Sequence, residues 1–333
     1  MLSFDLSHQA GVMSAVRDLV DYCNNHHMSN EEFISSLEML IPAFKAFDHD
    51  DISYTSAIVA FLLIVEQVDN ARGERPYVEY LQGLACHQIK ELRQILLNQR
   101  SAILQEIREF HSQEADNQAS FISYVTEMIR DHYCVLMIRV DLGYEKAKSD
   151  QITIREFLDH IKKLRLLLKD KNGCFKHLLG YGLALEQGAT KGYHAHLLLI
   201  YNGSELQQDR YIADQVIAKW KELSHGTGYG TNFNTKEKKA QYKYLGIGKI
   251  HRDNRQEVSN ALKVAEYLAE PTKYIQMLLV RLNNNRTFLK GIYKPHGRNY
   301  ATNFKKKTLE TEVGIWDASD VEALKAECEK LKK

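Results

Sequence analysis

Residues 179–202, LGYGLALEQGATKGYHAHLLLIYN, constrain this chain more than any other stretch. They read as two apolar strands around a glycine-bounded turn, Gly188-Ala189-Thr190-Lys191-Gly192. Short hairpin loops of this kind need positive φ angles, which glycine supplies without strain. Strand side chains alternate between faces. His194, His196 and Leu198 therefore share one face, and Tyr193, Ala195, Leu197 and Leu199 take the other. Folding about Thr190 sets Glu186 opposite His194 and Ala184 opposite His196. Two imidazoles and a carboxylate then converge, with small Ala184 leaving room beside them. That is three protein ligands for a divalent cation, with coordination positions left open to substrate. Two histidines in a strand are often just polar residues on a solvated face. Here the third residue in register and the bulky apolar flank point to a strand near the middle of a sheet, where unpaired ionisable groups are costly.

Composition matters mainly through its asymmetry. The chain has 333 residues and a formal net charge of +1. Residues 1–130 carry 9 Lys and Arg against 19 Asp and Glu, and residues 131–333 carry 35 against 24. The basic part suits a polyanion partner, and the acidic part does not suit a phosphate backbone. The five cysteines are widely spaced with no Cys-x-x-Cys pair, which argues against a zinc ribbon or a disulfide framework. No signal-like N-terminus is present, and the longest apolar run, 57–65, is too short to span a bilayer. We expect a cytoplasmic protein with no membrane partner.

Residues 1–130 read as helical throughout. Phe33, Leu37, Leu40, Ile41 and Phe44 recur at helical spacing, and Ser29 with Glu32 forms a capping box. Residues 57–67 read as a buried helix and 77–110 as a long amphipathic one. The polar stretch 111–118 reads as a linker or loop. At Tyr133 the pattern changes. Residues 134–142 read as a strand, with Leu136, Ile138 and Val140 alternating with Met137, Arg139 and Asp141. Helices are expected over 149–170, stopped at Lys171-Asn172-Gly173 by the glycine, and over 206–223.

Residues 225–255 interleave Tyr229, Phe233, Tyr242 and Tyr244 with Lys236, Lys238, Lys239, Lys243, Lys249 and Arg252. Such a mixture suits single-stranded nucleic acid, where bases stack and phosphates pair. It also fits a loop followed by a strand over 242–250, and both can hold, since binding loops ride on scaffolds. A helix over 255–270 is ended by Pro271. Tyr267 lies in its last turn, Lys263 one turn earlier on the same face, and Lys273 just past the stop. Tyr274 opens an apolar run, 275–280, that reads as a strand. Residues 281–307 are strongly basic and include Arg286 and Lys290, and Ser319 with Glu322 caps a final helix.

His194-Ala195-His196 resembles the His-hydrophobic-His signature of the HUH endonucleases, the single-strand nickases of rolling-circle replication, plasmid transfer and some transposition. The fuller run, a Glu186 strand, a short turn and Gly192-Tyr193-His194-Ala195-His196, is similar to the inovirus-type replication proteins of phages and prophages. The block 264–273, VAEYLAEPTK, resembles their nucleophile helix, where a tyrosine is followed by a lysine at short spacing. Arg286-Thr287-Phe288 resembles a short segment at the end of the same family. The resemblance covers residues 130–305 and gives Tyr267 the nucleophile position. Glu270 stands where relatives tend to carry lysine, and Pro271 stands where a second tyrosine would. That favours a one-tyrosine enzyme, assisted by Lys273 or Lys263.

From these readings we expect an α+β chain. An acidic all-α N-terminal domain spans 1–130, an HUH-type, largely antiparallel sheet flanked by helices spans 131–305, and a basic linker and C-terminal helix span 306–333. The resemblance implies site-specific nicking and joining of single-stranded DNA through a 5′-phosphotyrosine, initiating rolling-circle-type replication of a phage or mobile element. It implies Mg2+ or Mn2+ on Glu186, His194 and His196, although imidazole ligands also allow zinc. DNA contacts are expected from Lys236, Lys238, Lys239, Lys243, Lys249, Arg252, Arg286 and Lys290. No Walker-type phosphate loop is present, so helicase and polymerase would be separate host partners. Two other classes stay open. One is an origin- or operator-binding protein with a disabled nuclease site, for which Glu270 speaks. The other is a metallohydrolase of small substrates, which leaves the basic half unexplained.

Overall fold

A computed structural model of the chain describes residues 6–49, 52–270, 273–282 and 286–294. Helix α1 (Gln9–Asn25) is capped by His8, whose Nδ1 accepts from the Gly11 N–H at 2.9 Å. Helix α2 (Asn30–Lys45) opens on the expected capping box, with Ser29 and Glu32 bonded reciprocally. A short strand, β1 (Ile52–Tyr54), leads into α3 (Ser56–Arg72), α4 (Tyr77–Gln82) and α5 (Cys86–Asp131). The polar stretch 111–118 is not a linker but the middle of α5, a helix of 46 residues. It contains no glycine or proline to interrupt the backbone ladder, so its polarity reflects solvent on the helix surface, not a break.

Strand β2 (Cys134–Tyr144) follows, then α6 (Ile154–Asp170), β3 (Leu178–Gly188), β4 (Gly192–Asn202) and α7 (Asp209–Leu223). At the end of α6 Lys171 takes the left-handed conformation at φ 54°, and Gly173, two residues on, also has a positive φ of 61°. Strand β5 (Gly228–Asn232), the single turn α8 (Lys236–Lys239), β6 (Gly248–His251), α9 (Arg255–Leu268), β7 (Val280–Leu282) and β8 (Phe288–Lys290) complete the described chain. The strand expected over 242–250 shrinks to β6, because the loop before it is drawn against α9. A Cβ on Gly246 would lie 2.1 Å from the Asn260 carbonyl oxygen. In the run 275–280 the strand begins only at Val280, where β7 starts; Ile275 and Gln276 end a 3₁₀ turn and residues 277–279 are buried irregular chain. Its backbone is satisfied elsewhere: Leu279 N–H donates to Gln187 Oε1, and its carbonyl accepts from Thr55 N–H.

Six strands form an antiparallel sheet in the order β5–β2–β4–β3–β8, with β6 pairing the other end of the β2 edge that β5 occupies. A separate two-stranded pair joins β1 to β7. The fold is thus α+β with an open antiparallel sheet. The strand with the two histidines, β4, lies between β2 and β3. On one face, Leu136, Ile138, Leu183, Leu185, Leu197 and Leu199 enter the main core, which α6, α7 and the first three helices share. On the other, Met137, Ala184, Leu198 and Ile200 pack with Phe121, Tyr124 and Met128 of α5 and with Val264, Ala265 and Leu268 of α9. The helical region and the sheet therefore share their cores. Helix α1 is also fastened to the hairpin itself: Gln187 Nε2 donates to the Ala10 carbonyl at 2.9 Å and Tyr193 Oη to Gln9 Oε1 at 3.0 Å. Among the described residues no helix is long and apolar enough to cross a membrane.

The approach of α5 depends on two bare positions of β3. A Cβ on Gly182 would lie 2.3 Å from Phe121 Cζ, and one on Gly180 2.2 Å from Tyr124 Oη. Inserting a methyl group into such a contact costs about 1–3 kcal/mol. Gly182→Ala is therefore expected to lower unfolding free energy by about that amount in a denaturant titration, and a change below about 0.5 kcal/mol would show that α5 can withdraw without loss.

Candidate metal centre and tyrosine helix

The hairpin register is the one that alternation requires: Glu186 pairs with His194 and Ala184 with His196. Gly192, which opens β4, has φ 64° and so fills a position that other residues reach only under strain. Glu186, His194 and His196 are 6, 5 and 7 % exposed, and the ligand atoms they offer all lie within 4.8 Å of one another. Nδ1 of His194 is 3.1 Å from the Gly192 carbonyl, and Nδ1 of His196 is 2.6 Å from Asp141 Oδ1. A carbonyl and an ionised carboxylate can only accept, so we assign a proton to Nδ1 of each ring. The two Nε2 atoms face the same oxygen, Glu186 Oε2, at 3.5 and 3.0 Å.

This donor set fits a divalent cation. Two imidazole nitrogens and one carboxylate oxygen converge, and each ring is oriented from behind by an acceptor on its other nitrogen, as metal-bound histidines usually are. Ala184 contributes no side chain beyond its methyl, and Glu186 lines a small, partly open cavity with Glu114, Leu268, Glu270 and Met277. Burial works against a charged imidazole at His196, but the bonds to Asp141 and Glu186 outweigh it and hold its pKa above the usual histidine value. Burial likewise opposes ionisation of Asp141, yet its bond to His196, helped by the Arg139 charge, holds the carboxyl below its usual value. When His196 carries a proton on Nε2, that proton lies toward Glu186 Oε2, in the position a cation would take.

Asp141 is a residue that sequence reasoning missed in this role. It lies on β2 directly opposite His196, and Arg139, two residues earlier, lies opposite Leu198. The clue was present: Arg139 and Asp141 are the charged residues of an otherwise apolar strand, on the face that alternation assigns to the histidines. Without the β2–β4 register, that clue does not say which residue they meet.

Helix α9 brings Tyr267 to this same face of the sheet. Its Ala261, Val264, Ala265 and Leu268 are buried, and the Glu266 carbonyl accepts from Gln118 Nε2 of α5 at 3.0 Å. The Tyr267 ring is 46 % exposed and lies 5.1 Å from the Arg139 guanidinium, which in turn is 3.6 Å from Asp141. Tyr274 instead packs edge-on against His111 of α5. The Lys263 ammonium sits 3.6 Å from the centre of the Tyr244 ring, and the side chain of Lys273 lies outside the described residues. Lys236, Lys243, Lys249 and Arg286 are exposed. Lys238 lies 5.9 Å from the Phe233 ring, while Lys239 is ion-paired with Asp209. Arg252 is held by the Arg130 carbonyl at 3.5 Å, and Lys290 donates to Ser120 Oγ at 2.7 Å. The basic stretch after residue 294 and the final capping box lie outside the described residues.

Removing either His194 or His196 by alanine substitution is expected to abolish tight uptake of Mn2+ or Zn2+ in calorimetry. Asp141→Asn should weaken it by about 10–100-fold, since the ring it orients loses its charged acceptor. Uptake should strengthen as pH rises through and above the usual histidine range, because the pKa of His196 is held up and a cation must displace its proton. Equal affinity in the wild type and the two histidine variants would remove the centre altogether. No family model, no curated protein and no solved structure matches the chain, and the centre stands on its own geometry.

Proposed function

We propose that this chain is an HUH-type endonuclease that nicks and rejoins single-stranded DNA through Tyr267, initiating rolling-circle-type replication of a phage or mobile element. The observation that carries the reading is the placement of a buried Glu-His-His group and the Tyr267 helix on one face of one sheet, linked through Asp141 and Arg139. Its sequence support is the resemblance of the hairpin and of block 264–273 to that family.

Glu186, His194 and His196 would hold Mg2+ or Mn2+, which when bound supplies positive charge to a non-bridging phosphate oxygen. Asp141 and the Gly192 carbonyl keep both imidazoles turned toward that position. The Tyr267 oxygen attacks phosphorus, the bond from phosphorus to the 3′-oxygen breaks, and a 5′-phosphotyrosine forms. The phenolic proton is given up as the departing 3′-oxygen gains one. Phenol ionises near pH ~10, so a nearby cation, Lys263 or Lys273, favours the reactive anion. Phenolate is also a competent leaving group, so a 3′-hydroxyl can reverse the step and reseal the strand. The liberated 3′-end would prime a host polymerase, with unwinding left to a separate helicase.

Origin or operator binding without cleavage is the second reading, and Glu270 favours it. This carboxylate lines the cavity beside Glu186, where added negative charge repels phosphate.

Tyr267→Phe is expected to bind single-stranded origin DNA as the wild type does and to form no covalent adduct, while Tyr274→Phe keeps the adduct. Denaturing electrophoresis with peptide mapping distinguishes them. Nucleotide mass on the Tyr274 peptide would overturn the assignment, and no adduct from the wild type with any divalent ion would favour the second reading. A separate expectation concerns affinity. Replacing exposed Lys236, Lys243 and Lys249 by alanine should lower the slope of log K against log salt by about 0.7 for each phosphate that is no longer neutralised. Lys239→Ala should leave the slope nearly unchanged, because its ammonium is already paired with Asp209. An unaltered slope in the triple variant would move the DNA track elsewhere.

A further inference from the structure

Arg139 has no part in the metal centre and is not exposed enough to be a phosphate contact. It is 9 % exposed, on the middle of β2, on the face that carries His194 and His196. Burying a guanidinium is costly unless charge and hydrogen bonds compensate. The compensation here is incomplete in hydrogen bonds: its Nε is buried without a partner, and the Asp141 oxygen is 3.6 Å from Nη2. What surrounds the cation instead is aromatic. The guanidinium carbon lies 4.6 Å from the centre of the Phe233 ring and 5.1 Å from that of Tyr267. Both are within the range of cation–π attraction, which strengthens when the pair is shielded from water. Phe233 is itself fixed, because its N–H donates to the Arg139 carbonyl, and so does Asn234 Nδ2.

We propose that Arg139 is a positioning residue that couples occupancy of the Glu186-His194-His196 centre to the orientation of Tyr267. Its two ends make the link. At one end Arg139 attracts Asp141, the acceptor that orients His196. At the other, its planar cation lies against the nucleophile ring. Asp141 is shared between them, so a change in how strongly His196 engages Asp141 changes how strongly Arg139 is held. A cation that displaced the proton from His196 Nε2 would change how strongly Nδ1–H donates to Asp141, and with it the hold of Asp141 on the guanidinium on which Tyr267 rests. Lysine cannot replace this device. Its ammonium satisfies Asp141 as a point charge but offers no flat surface to two rings. The significance of the coupling rests on Tyr267 being the nucleophile, whereas the coupling itself is measurable without DNA.

The test uses the full chain carrying 3-fluorotyrosine in place of Tyr267, followed by 19F NMR during titration with Zn2+ as a diamagnetic probe. In the wild-type background Zn2+ should shift the resonance, and the shift should vanish with His196→Ala. In Arg139→Lys, and in Arg139→Met if it folds, the shift should fall at least about threefold while Zn2+ affinity stays within about threefold. A shift as large in Arg139→Lys as in the wild type would overturn the proposal, as would Zn2+ uptake by the wild type with no shift at all. Failure of the wild type to take up Zn2+ would remove the metal centre and the coupling together. Absence of a DNA adduct would count against the nicking reading and leave the Zn2+ response as the measure of the coupling.

Discussion

The pairing of β4 with its two neighbours is the constraint on which everything else depends. His196 meets Ala184 on one side and Asp141 on the other, and His194 meets Glu186 two pairs further along the hairpin. Because side chains alternate, a slip of one residue in either pairing would send one partner to the opposite face. The register is secured by the apolar residues on the other face, where Leu183, Leu197 and Leu199 are wholly buried, so slippage would expose them and bury charge. Packing of the hydrophobic face thus fixes the geometry of the polar one. Fastenings near the turn add to this, since Gln187 and Tyr193, adjacent to the ligands in sequence, reach the first helix from the opposite side of the sheet.

Charge is balanced along a line instead of within a pair. Arg139, Asp141, His196 and Glu186 alternate in sign across the sheet when His196 is protonated, and each lies close to the next. Such a row lets four ionisable groups occupy a buried surface that would reject any of them singly. It also makes the row sensitive to what binds at its end. A divalent cation replacing one proton adds a positive charge, and the ligands nearest it respond first.

Much of this was legible from the hairpin alone. Glycines at 188 and 192, alternation through His194 and His196, and Glu186 at the mirrored position determine three side chains without knowledge of any other strand. Asp141 and Arg139 were not legible, because which residue of β2 faces His196 depends on a pairing 55 residues apart in sequence. The linker expected at 111–118 failed for a related reason: polarity was taken for irregular chain, while the long-range packing of α5 keeps it helical on both sides. Gly180 and Gly182 read as features of a hairpin strand, but their role is to admit Phe121 and Tyr124. In each case local chemistry was visible and its distant partner was not.

Helix α5 explains why an acidic helical region belongs with this sheet. Near its midpoint Glu106 accepts from the first N–H of α3, Ser56, at 2.6 Å. Further along Gln118 ties the backbone beside Tyr267, and in its last turns Phe121, Tyr124 and Met128 lie on the bare stretch of β3. One uninterrupted helix therefore spans the helical core, the tyrosine helix and the strand that supplies Glu186. Helices of this length are stiff, so the separation between Tyr267 and Glu186 is set largely by one rigid element and the two places where it is pinned. A catalytic tyrosine gains from proximity only when its approach is held to within a fraction of an ångström. On the proposed reading, the helical region supplies that rigidity and leaves contact with the phosphate backbone to the exposed lysines of the basic half.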